Sequence, residues 1–280
     1  MTALAERVAI ITGAGRGLGR EHALLFGAEG SRVIVNDLGP EAEQVASEIR
    51  AAGGQAVAST HDITSWSGGK DLVDLAIDSF GRLDVLVNNA GILRDRMVVS
   101  MSEEEWDEVI DVHLKGHFVP TRFAAAHWRE EAKAGRPVAA SIIHTSSTSG
   151  LLGNPGQTNY GSAKAGIGAF SIICAQELGR YGVRSNCIAP AARTRLTEST
   201  PGLGDMVAAP SGGFDVWDPA NVAPLVAYLA TADCSITGKT FFAQGGTIRV
   251  IEPWRLGARL EREDRWTIDD LAQELPKLSE

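Results

Sequence analysis

Six short apolar segments, each rich in β-branched residues, limit most strongly the folds open to this chain of 280 residues. Within each segment the apolar residues adjoin one another instead of alternating with polar ones, which is typical of strands buried on both faces. The segments are 7–12, 32–36, 84–88, 140–144, 183–188 and 239–243, and 55–59 is a weaker candidate. Helical patterns separate them. The sequence therefore predicts an α/β fold: one doubly wound parallel sheet of about seven strands with helices on both faces.

Two of the predicted helices are long, covering about residues 102–131 and 158–181. Ser102 and Glu105 form the pattern of a capping box at the start of the first helix. Apolar residues nearly encircle the second helix: Ala165, Ile167, Phe170, Ile172, Ile173 and Cys174. A helix that is apolar on every side needs burial on every side, so we expect a homo-oligomer, with neighbouring helices of the same chain as the alternative cover.

Composition excludes several classes of partner. Lys and Arg number 26 and Asp and Glu 35, which gives a net charge of −9. A chain this acidic is a poor bulk partner for nucleic acid or an anionic membrane surface. No apolar run approaches the ~18 residues of a transmembrane helix, so no membrane span is expected.

Cysteine usage indicates the compartment. Cys174, Cys187 and Cys234 are widely spaced and form no Cys-x-x-Cys pair, which argues against a disulfide framework and a thiolate zinc site. The first residues lack the pattern of a secretory signal. We therefore expect a cytoplasmic location.

Domain organisation is expected to be simple, because no proline-rich linker or composition break occurs before residue 250. Residues 1–251 are expected to form one domain, and 252–280 a C-terminal extension that is not a separate domain. Ile268, Leu271 and Leu275 share one face of a short predicted helix in this extension. That apolar face is expected to pack on the body of the chain or on a neighbouring subunit.

A glycine-rich loop, Thr12-Gly13-Ala14-Gly15-Arg16-Gly17-Leu18-Gly19, follows the first predicted strand and opens a helix. Glycines at such a junction let backbone N–H groups approach a pyrophosphate, and the N-terminus of the helix directs its positive end at the negative charge. A glycine pattern alone is weak, but its place between a strand and a helix favours dinucleotide binding in a Rossmann-like sheet.

Asp37 follows the second predicted strand and indicates which dinucleotide is bound. A carboxylate there can accept hydrogen bonds from an adenosine ribose and would repel a 2′-phosphate, which favours NAD. Arg16 in the glycine loop could instead reach a 2′-phosphate, so NADP stays the alternative.

Tyr160 and Lys164 are four residues apart, which places both on one face of a helix. A nearby ammonium favours the phenolate, so Lys164 is expected to lower the pKa of Tyr160 from its ordinary value near ~10. Such a tyrosine could exchange a proton with a substrate hydroxyl.

With these motifs the sequence resembles the short-chain dehydrogenase/reductase family, from about residue 6 to residue 247. The glycine loop, the Asn88-Asn89-Ala90-Gly91 segment and Tyr160-x-x-x-Lys164 fit the family's motifs in the family's order. The resemblance implies that Tyr160 is the general base in oxidation, that Lys164 lowers its pKa and grips the nicotinamide ribose, and that Ser147 holds the substrate oxygen. The cofactor-binding set that it implies is Gly13, Arg16, Gly17, Leu18, Gly19, Asp37, Leu38, Asp62, Ile63, Asn89, Ala90, Gly91, Tyr160, Lys164, Pro190 and Thr194.

Two positions depart from the family pattern. His113 replaces the usual asparagine of the proton relay, and a histidine can preserve the backbone carbonyl on which that relay is thought to depend. Ala191 replaces the glycine that usually follows Pro190, which should change the loop beside the substrate. His113 and His117 are also four apart, but no third ligand is placed in sequence, so no metal is expected.

Longer stretches narrow the resemblance to the (3R)-hydroxyacyl-CoA dehydrogenase module of multifunctional β-oxidation enzymes, a group that also contains 17β-hydroxysteroid dehydrogenases. They are 35–39, 88–96, 112–116 and 153–160, and His113 is a feature of that module. The function that this implies is an NAD-dependent oxidoreductase acting on a secondary alcohol of an acyl-CoA or other lipid-like substrate, in a homotetramer. Arg94 and Arg96 could attract a CoA phosphate or form a solvated loop, and 196–218 falls where the family has its substrate lid.

Two rival functions remain open from sequence. One is a sugar, polyol or xenobiotic carbonyl reductase that prefers NADP. The other is a nucleotide-sensing protein without turnover, which the intact Ser147, Tyr160 and Lys164 disfavour, because binding alone needs no proton-transfer tyrosine.

Overall fold

A computed structural model describes residues 2–198, 207–252 and 254–278. Within these ranges the strands form a single sheet. Their bounds are Val8–Thr12 (β1), Arg32–Asn36 (β2), Gln55–Ser59 (β3), Val85–Asn88 (β4), Ala140–Thr145 (β5), Val183–Pro190 (β6), Thr240–Gln244 (β7) and Thr247–Ile251 (β8). The predicted single-domain α/β architecture is confirmed, and the weaker candidate segment 55–59 is strand β3.

The strand order is β3-β2-β1-β4-β5-β6-β7-β8, and every neighbouring pair is parallel except β7 with β8. The central strand β1 pairs with β2 on one side and with β4 on the other. The direction of winding therefore reverses between β1 and β4. Loops at the carboxyl ends of these strands diverge there and leave a crevice, which is where open α/β sheets bind ligands.

Helices cover both faces of the sheet, as predicted. Their bounds are Gly17–Ala28 (α1), Glu41–Ala51 (α2), Trp66–Phe80 (α3), Glu103–Ile110 (α4), Gly116–Lys133 (α5), Thr148–Leu152 (α6), Thr158–Leu178 (α7), Arg195–Glu198 (α8), Ala223–Ala230 (α9) and Ile268–Glu274 (α10). One apolar core includes Phe26 of α1 and Val226 of α9, and the other includes Leu72 of α3 and Trp128 of α5. Two cores, one on each face, explain why the strands are apolar on both sides.

The predicted number of about seven strands is one too low. Strand β8 pairs antiparallel with β7 across a tight turn that contains Gly245 at φ +52°. Its residues are largely exposed, with Ile248 57% and Val250 60% accessible. A short edge strand with one exposed face lacks the continuous apolar run that marked the others, so that pattern did not reveal it.

Both long helices are present. The predicted capping box at Ser102 and Glu105 opens α4, and α4 continues through a π-helical turn, Asp111–Lys115, into α5. Helix α7 continues through a short 3-10 turn to Tyr181. The π-helical turn places its residues beside α7, which is where His113 enters the candidate site.

The C-terminal extension does not pack its apolar face on the body of the chain, contrary to one of the two expectations. Within this chain Trp254 is 90% exposed, Ile268 86% and Leu275 54%. Helix α10 is nevertheless well formed, since Thr267 and Asp270 make a capping box at its start. Cover from a neighbouring subunit is the expectation that remains.

No helix in the described part of the chain is both long enough and apolar enough to cross a membrane.

Candidate active site

The glycine loop lies where β1 ends and α1 begins, at the crevice between β1 and β4. Gly13 and Gly17 have φ of +62° and +52°, a region that favours glycine. A Cβ at Gly19 would lie 2.1 Å from the carbonyl oxygen of Gly13, and a Cβ at Gly13 would lie 2.7 Å from the Cα of Ala90. The loop thus fits against its neighbours only without side chains at these positions, and it presents bare backbone.

The first helix leaves its N-terminal N–H groups open. Arg16 is its N-cap and makes no side-chain capping hydrogen bond. Uncapped N–H groups and the helix dipole together favour an anion at this end. The residues present therefore fit the pyrophosphate of a dinucleotide.

Asn89 fixes the glycine loop to strand β4. Its Nδ2 donates to the carbonyl oxygens of Thr12 and Gly13 at 3.1 and 3.2 Å. The Thr12 hydroxyl in turn accepts from the backbone N–H groups of Asn89 and Ala90 at 3.0 and 3.2 Å. These bonds hold two of the predicted cofactor-binding segments together.

The Asp37 carboxylate lies directly against the glycine loop. One oxygen accepts from the Gly15 N–H at 3.0 Å, and the other accepts from the Gly39 N–H at 3.3 Å. Arg16 does not point freely into this space, because its guanidinium forms an ion pair with Glu41. Backbone hydrogen bonding and the Arg16 hydrogen bond lower the pKa of Glu41. Two carboxylates and a paired arginine therefore surround the place predicted for the ribose.

The remaining predicted cofactor residues lie around the same crevice. Leu38 is 70% exposed, which leaves an apolar surface beside Asp37. Asp62 is exposed and binds the N–H and hydroxyl of Thr64, each at 2.8 Å, whereas the Ile63 side chain is buried in the core. Ile63 could thus meet a cofactor only through its backbone.

The loop after β6 returns to the glycine loop. Pro190 ends β6, and Thr194 lies close enough to Gly17 for a Cβ there to be 3.4 Å from the Thr194 methyl group. Thr194 is held by Thr197, whose hydroxyl accepts from the Thr194 N–H at 2.7 Å. Residues 199–206 of the predicted lid lie outside the described residues.

Ser147, Tyr160 and Lys164 meet at the carboxyl end of β5. Ser147 follows β5 as the N-cap of α6, and its Oγ accepts from the Ser149 N–H at 3.2 Å. Tyr160 lies on α7, and its phenol is near enough to Ser147 for that side chain to lower the Tyr160 pKa. The Lys164 ammonium lies 5.5 Å from the centre of the Tyr160 ring and donates to the Thr145 carbonyl at 2.6 Å.

Burial dominates the electrostatics of this trio. It raises the pKa of Tyr160 above 10, although the Ser147 hydrogen bond acts in the opposite direction. It lowers the pKa of Lys164 to about 7. In the chain alone the Tyr160 pKa is therefore raised, with burial as the largest cause, and a lowering by Lys164 stays a prediction.

His113 enters the site from the π-helical turn. Its ring meets that of Tyr160 edge-on at 5.1 Å, and its Nε2 lies 2.7 Å from the Ile92 carbonyl oxygen. A Cβ at Gly91 would lie 2.4 Å from His113 Cε1, so the ring uses the space that glycine leaves. Burial, followed by the Lys164 charge, lowers the pKa of His113 well below its ordinary value. The imidazole is therefore neutral at pH 7.

Arg94 and Arg96 are both paired at the surface, with Glu108 and Glu105 respectively. Their charges are largely compensated, which weakens the suggestion that they attract a CoA phosphate. No group of three or more potential metal-binding side chains occurs among the residues whose positions the structure gives.

Comparison with known proteins bears on what this arrangement is. The sequence model of the family described as short chain dehydrogenase matches residues 7–203. The chain is a short-chain dehydrogenase.

Individual relatives support the same family assignment. The chain is 43% identical over 271 residues to hydroxyacyl-CoA dehydrogenase ChsB1 of Mycobacterium tuberculosis, covering 94% of this chain and 84% of that protein. It is 44% identical over 250 residues to peroxisomal multifunctional enzyme type 2 of Drosophila melanogaster, covering 86% of this chain but 39% of the larger protein. A solved short chain dehydrogenase from Mycobacterium avium has a TM-score of 0.91 and 46% identity, covering 99% of this chain and 95% of that one.

These findings confirm the resemblance inferred from the motifs. This dehydrogenase is an oxidoreductase of CH–OH groups from a family that uses NAD or NADP.

Sequence reasoning missed two residues beside the candidate site, Asn159 and Gln157. Asn159 is fully buried, and its Nδ2 donates to the carbonyl oxygens of Arg94 and Glu105 at 3.0 and 2.9 Å. Gln157 donates to Asp95 at 2.9 Å. These three bonds fix the loop after β4 and the start of α4 beside Tyr160. The signal was weak, because polar residues just before a catalytic helix also suit an ordinary turn.

Proposed function

We propose that this dehydrogenase interconverts a secondary alcohol and a ketone with NAD, and that its substrate is a (3R)-hydroxyacyl-CoA, with a hydroxysteroid as the second candidate. The observation that carries the proposal is the contact of Tyr160 with Ser147 and Lys164 at the carboxyl end of β5, beside the crevice of the glycine loop. The relative named hydroxyacyl-CoA dehydrogenase supports the choice of substrate.

The proposed roles follow from this geometry. Ser147 donates a hydrogen bond to the substrate oxygen and orients it toward Tyr160. Tyr160 accepts the hydroxyl proton in oxidation and returns it in reduction. The bound nicotinamide supplies the acceptor or donor of hydride. Lys164 carries positive charge behind Tyr160, which favours the phenolate as the proton moves. His113, being neutral and held at Ile92, keeps the π-helical turn beside this pair.

A cavity of about 840 Å³ next to these residues suits a long substrate. Its lining includes Met97, Ser149, Leu152, Asn154 and Gln157. Met97 and Leu152 are 58% and 82% exposed, which provides apolar surface for a lipid-like chain. The polar side chains among them suit the amides of a CoA thioester.

NAD is the proposed cofactor because two carboxylates border the ribose position. The backbone N–H groups of Gly15 and Gly39 donate hydrogen bonds to the Asp37 carboxylate. Glu41 forms an ion pair with Arg16, the arginine of the glycine loop. A 2′-phosphate would meet negative charge there. An NADP-dependent carbonyl or polyol reductase is therefore the weaker alternative. A non-catalytic nucleotide sensor is also disfavoured, because nucleotide binding alone does not require a tyrosine placed beside Ser147 and Lys164.

We further propose a homotetramer. Ile173 on α7 and Phe118 on α5 are 49% and 43% exposed, and Phe118 packs against Phe170 at 6.2 Å. Trp66, 55% exposed, extends the same apolar surface. A second copy would cover this surface and the exposed face of the C-terminal extension. A cytoplasmic location is also proposed, since all three cysteines are free and buried.

Steady-state turnover tests the function directly. The panel contains (3R)- and (3S)-hydroxybutyryl-CoA, longer (3R)-hydroxyacyl-CoA esters and 17β-hydroxysteroids, each with NAD and with NADP. We expect the highest kcat/KM for a (3R)-hydroxyacyl-CoA with NAD, and the (3S) enantiomer is the matched control. Turnover confined to sugars or polyols with NADP would refute the proposal, and NADH binding without turnover of any alcohol would favour the sensor.

A further inference from the structure

Asp95 places a negative charge beside the candidate active site. It lies in the loop after β4 and lines the cavity proposed for the substrate, together with Thr148 and Ser149 of α6. Thr148 directly follows Ser147 in the chain, and the Ser149 N–H donates to Ser147 Oγ at 3.2 Å. The proposed reaction assigns no role to the Asp95 carboxylate.

Hydrogen bonds hold Asp95 next to the start of α7. Its Oδ2 accepts from Gln157 Nε2 at 2.9 Å. The carbonyl of the preceding residue, Arg94, accepts from Asn159 Nδ2 at 3.0 Å. Asn159 directly precedes Tyr160, so these two bonds join the loop that carries the carboxylate to the turn of helix that carries the proposed general base.

The two arginines next to Asp95 do not neutralise it. Arg94 pairs with Glu108 at 2.7 Å, and Arg96 pairs with Glu105 at 2.9 Å. In the described part of the chain no basic side chain forms an ion pair with Asp95 itself. Its hydrogen-bond donor is a neutral amide, so the carboxylate keeps its negative charge.

Burial strengthens the field of this carboxylate. Asp95 Oδ1 is shielded from solvent and makes no hydrogen bond with any residue in 2–198, 207–252 or 254–278. Partly buried charges are screened much less than exposed ones. The field extends to the candidate base, because the Asp95 charge acts in the same direction as burial, the largest cause of the raised Tyr160 pKa.

Lys164 does not offset this field inside the cavity. It is 2% exposed, and its ammonium donates to the Thr145 carbonyl at 2.6 Å. Burial lowers the Lys164 pKa to about 7, so part of its charge is lost at neutral pH. His113, the other titratable group in contact with Tyr160, is neutral at pH 7 because burial lowers its pKa. The Asp95 charge therefore dominates this side of the site.

We propose that Asp95 is a specificity-determining residue that excludes free hydroxy acids and admits their thioesters and esters. A 3-hydroxy acid with its hydroxyl at Ser147 and Tyr160 would carry its carboxylate two bonds from the reacting carbon, within the field of Asp95, and like charges repel. A thioester has no charge at that carbon, and the phosphates of CoA lie at the far end of the pantetheine arm. The inference rests on the proposed function, since it assumes that the alcohol reacts at Tyr160.

Coulomb's law gives the size of the discrimination. Two unit charges about 6–8 Å apart, at an effective dielectric constant of about 20–40, repel strongly enough to lower kcat/KM by about 6- to 100-fold. The effect is specific to the charge, because an ester of the same acid has nearly the same shape.

A matched pair of substrates measures this selection: (3R)-3-hydroxybutyrate and its methyl ester, each with NAD. We expect the wild type to prefer the ester. Asp95→Asn removes the charge but keeps an acceptor for Gln157, so the acid/ester ratio of kcat/KM should rise by about 6- to 100-fold. Asp95→Glu keeps the charge and should keep the low ratio. If Asp95→Asn does not fold, Asp95→Ser is the second uncharged variant.

Asp78→Asn is the control for the change in net charge. Asp78 is exposed on α3 and is not part of the cavity lining, so its removal should leave the acid/ester ratio unchanged. An unchanged ratio in Asp95→Asn, or an equal rise in Asp95→Glu or Asp78→Asn, would overturn the inference.

Binding of the ketone products gives a readout that needs no turnover. Acetoacetate and methyl acetoacetate are titrated into the NADH complex and followed by NADH fluorescence. Asp95→Asn should strengthen acetoacetate binding relative to the ester by about the same 6- to 100-fold. A panel without turnover of any alcohol would contradict the proposed function and leave this binding ratio as the test of Asp95. A variant that binds the ester and still rejects acetoacetate would refute the role of Asp95.

Discussion

The proposed preference for NAD predicts that cofactor choice can be reversed by two substitutions that change the charges beside the glycine loop. The Asp37 carboxylate lies at the position predicted for the ribose, and Glu41 holds the Arg16 guanidinium in an ion pair. Asp37→Ala removes the first carboxylate, and Glu41→Gln releases Arg16. We expect Asp37→Ala to raise the NADP/NAD ratio of kcat/KM, and the double variant to raise it further, because only then can Arg16 reach a 2′-phosphate.

The size of the change follows from two contributions. Loss of a hydrogen bond to a charged acceptor costs about 1.5–3 kcal/mol, which lowers kcat/KM for NAD by about 10- to 150-fold. Relief of repulsion between a carboxylate and a phosphate in a partly exposed site contributes about 1–2 kcal/mol, or about 5- to 30-fold for NADP. Together they predict a ratio change of about 50- to 5,000-fold for Asp37→Ala.

Initial-rate kinetics with both cofactors measure these ratios in the wild type, both single variants and the double variant. Arg16→Gln in the double variant is the control, and it should abolish the additional gain. Thermal unfolding checks that the Gly15 N–H, which loses its acceptor in Asp37→Ala, does not unfold the loop. A wild type that prefers NADP, or a double variant with an unchanged ratio, would refute the reasoning.

Three further predictions concern catalysis, acid stability and assembly. Tyr160→Phe should bind NADH normally in a fluorescence titration, while kcat/KM falls by at least about 10²-fold; substantial turnover would remove Tyr160 from its role. Burial lowers the pKa of His22 to about 3, so between about pH 6.5 and 3 the unfolded chain binds a proton at this histidine that the folded chain does not bind. The free energy of unfolding therefore decreases as the pH falls through this range. The melting temperature of His22→Gln should decline less steeply between pH 7 and 4 than that of the wild type. Light scattering should give a tetramer, and a monomer at micromolar concentration would contradict the proposed assembly. Deletion of residues 252–280 should weaken the tetramer or raise KM. A deletion variant without either effect would show that the C-terminal extension contributes to neither.

Local sequence patterns were sufficient to predict the sheet and the place of the crevice. Apolar segments buried on both faces marked seven of the eight strands, and the place of the glycine loop between a strand and a helix marked the crevice. The sequence did not predict strand β8, because only a two-residue turn separates it from β7. The side chains of β8 alternate between exposed polar and exposed apolar groups. Strand β8 forms because it pairs with β7, and its own sequence lacks the continuous apolar run of a buried strand.

Electrostatics could not be read from spacing. The Tyr160–Lys164 interval correctly predicts two side chains on one face of α7, but the direction of the Tyr160 pKa depends on burial, which no local pattern gives. The hydrogen bonds of Asn159 to Arg94 and Glu105 span 65 and 54 residues. Contacts of this range follow from the completed fold.

The fit between Gly91 and His113 makes the two positions mutationally dependent. A side chain at 91 would collide with the imidazole ring at 2.4 Å, whereas a smaller residue at 113 would remove the collision. Gly91→Ala should therefore be harmful in the wild type and better tolerated after His113→Asn. Engineering toward a different residue at 113 has a preferred order of steps, with the histidine exchanged first and the glycine second.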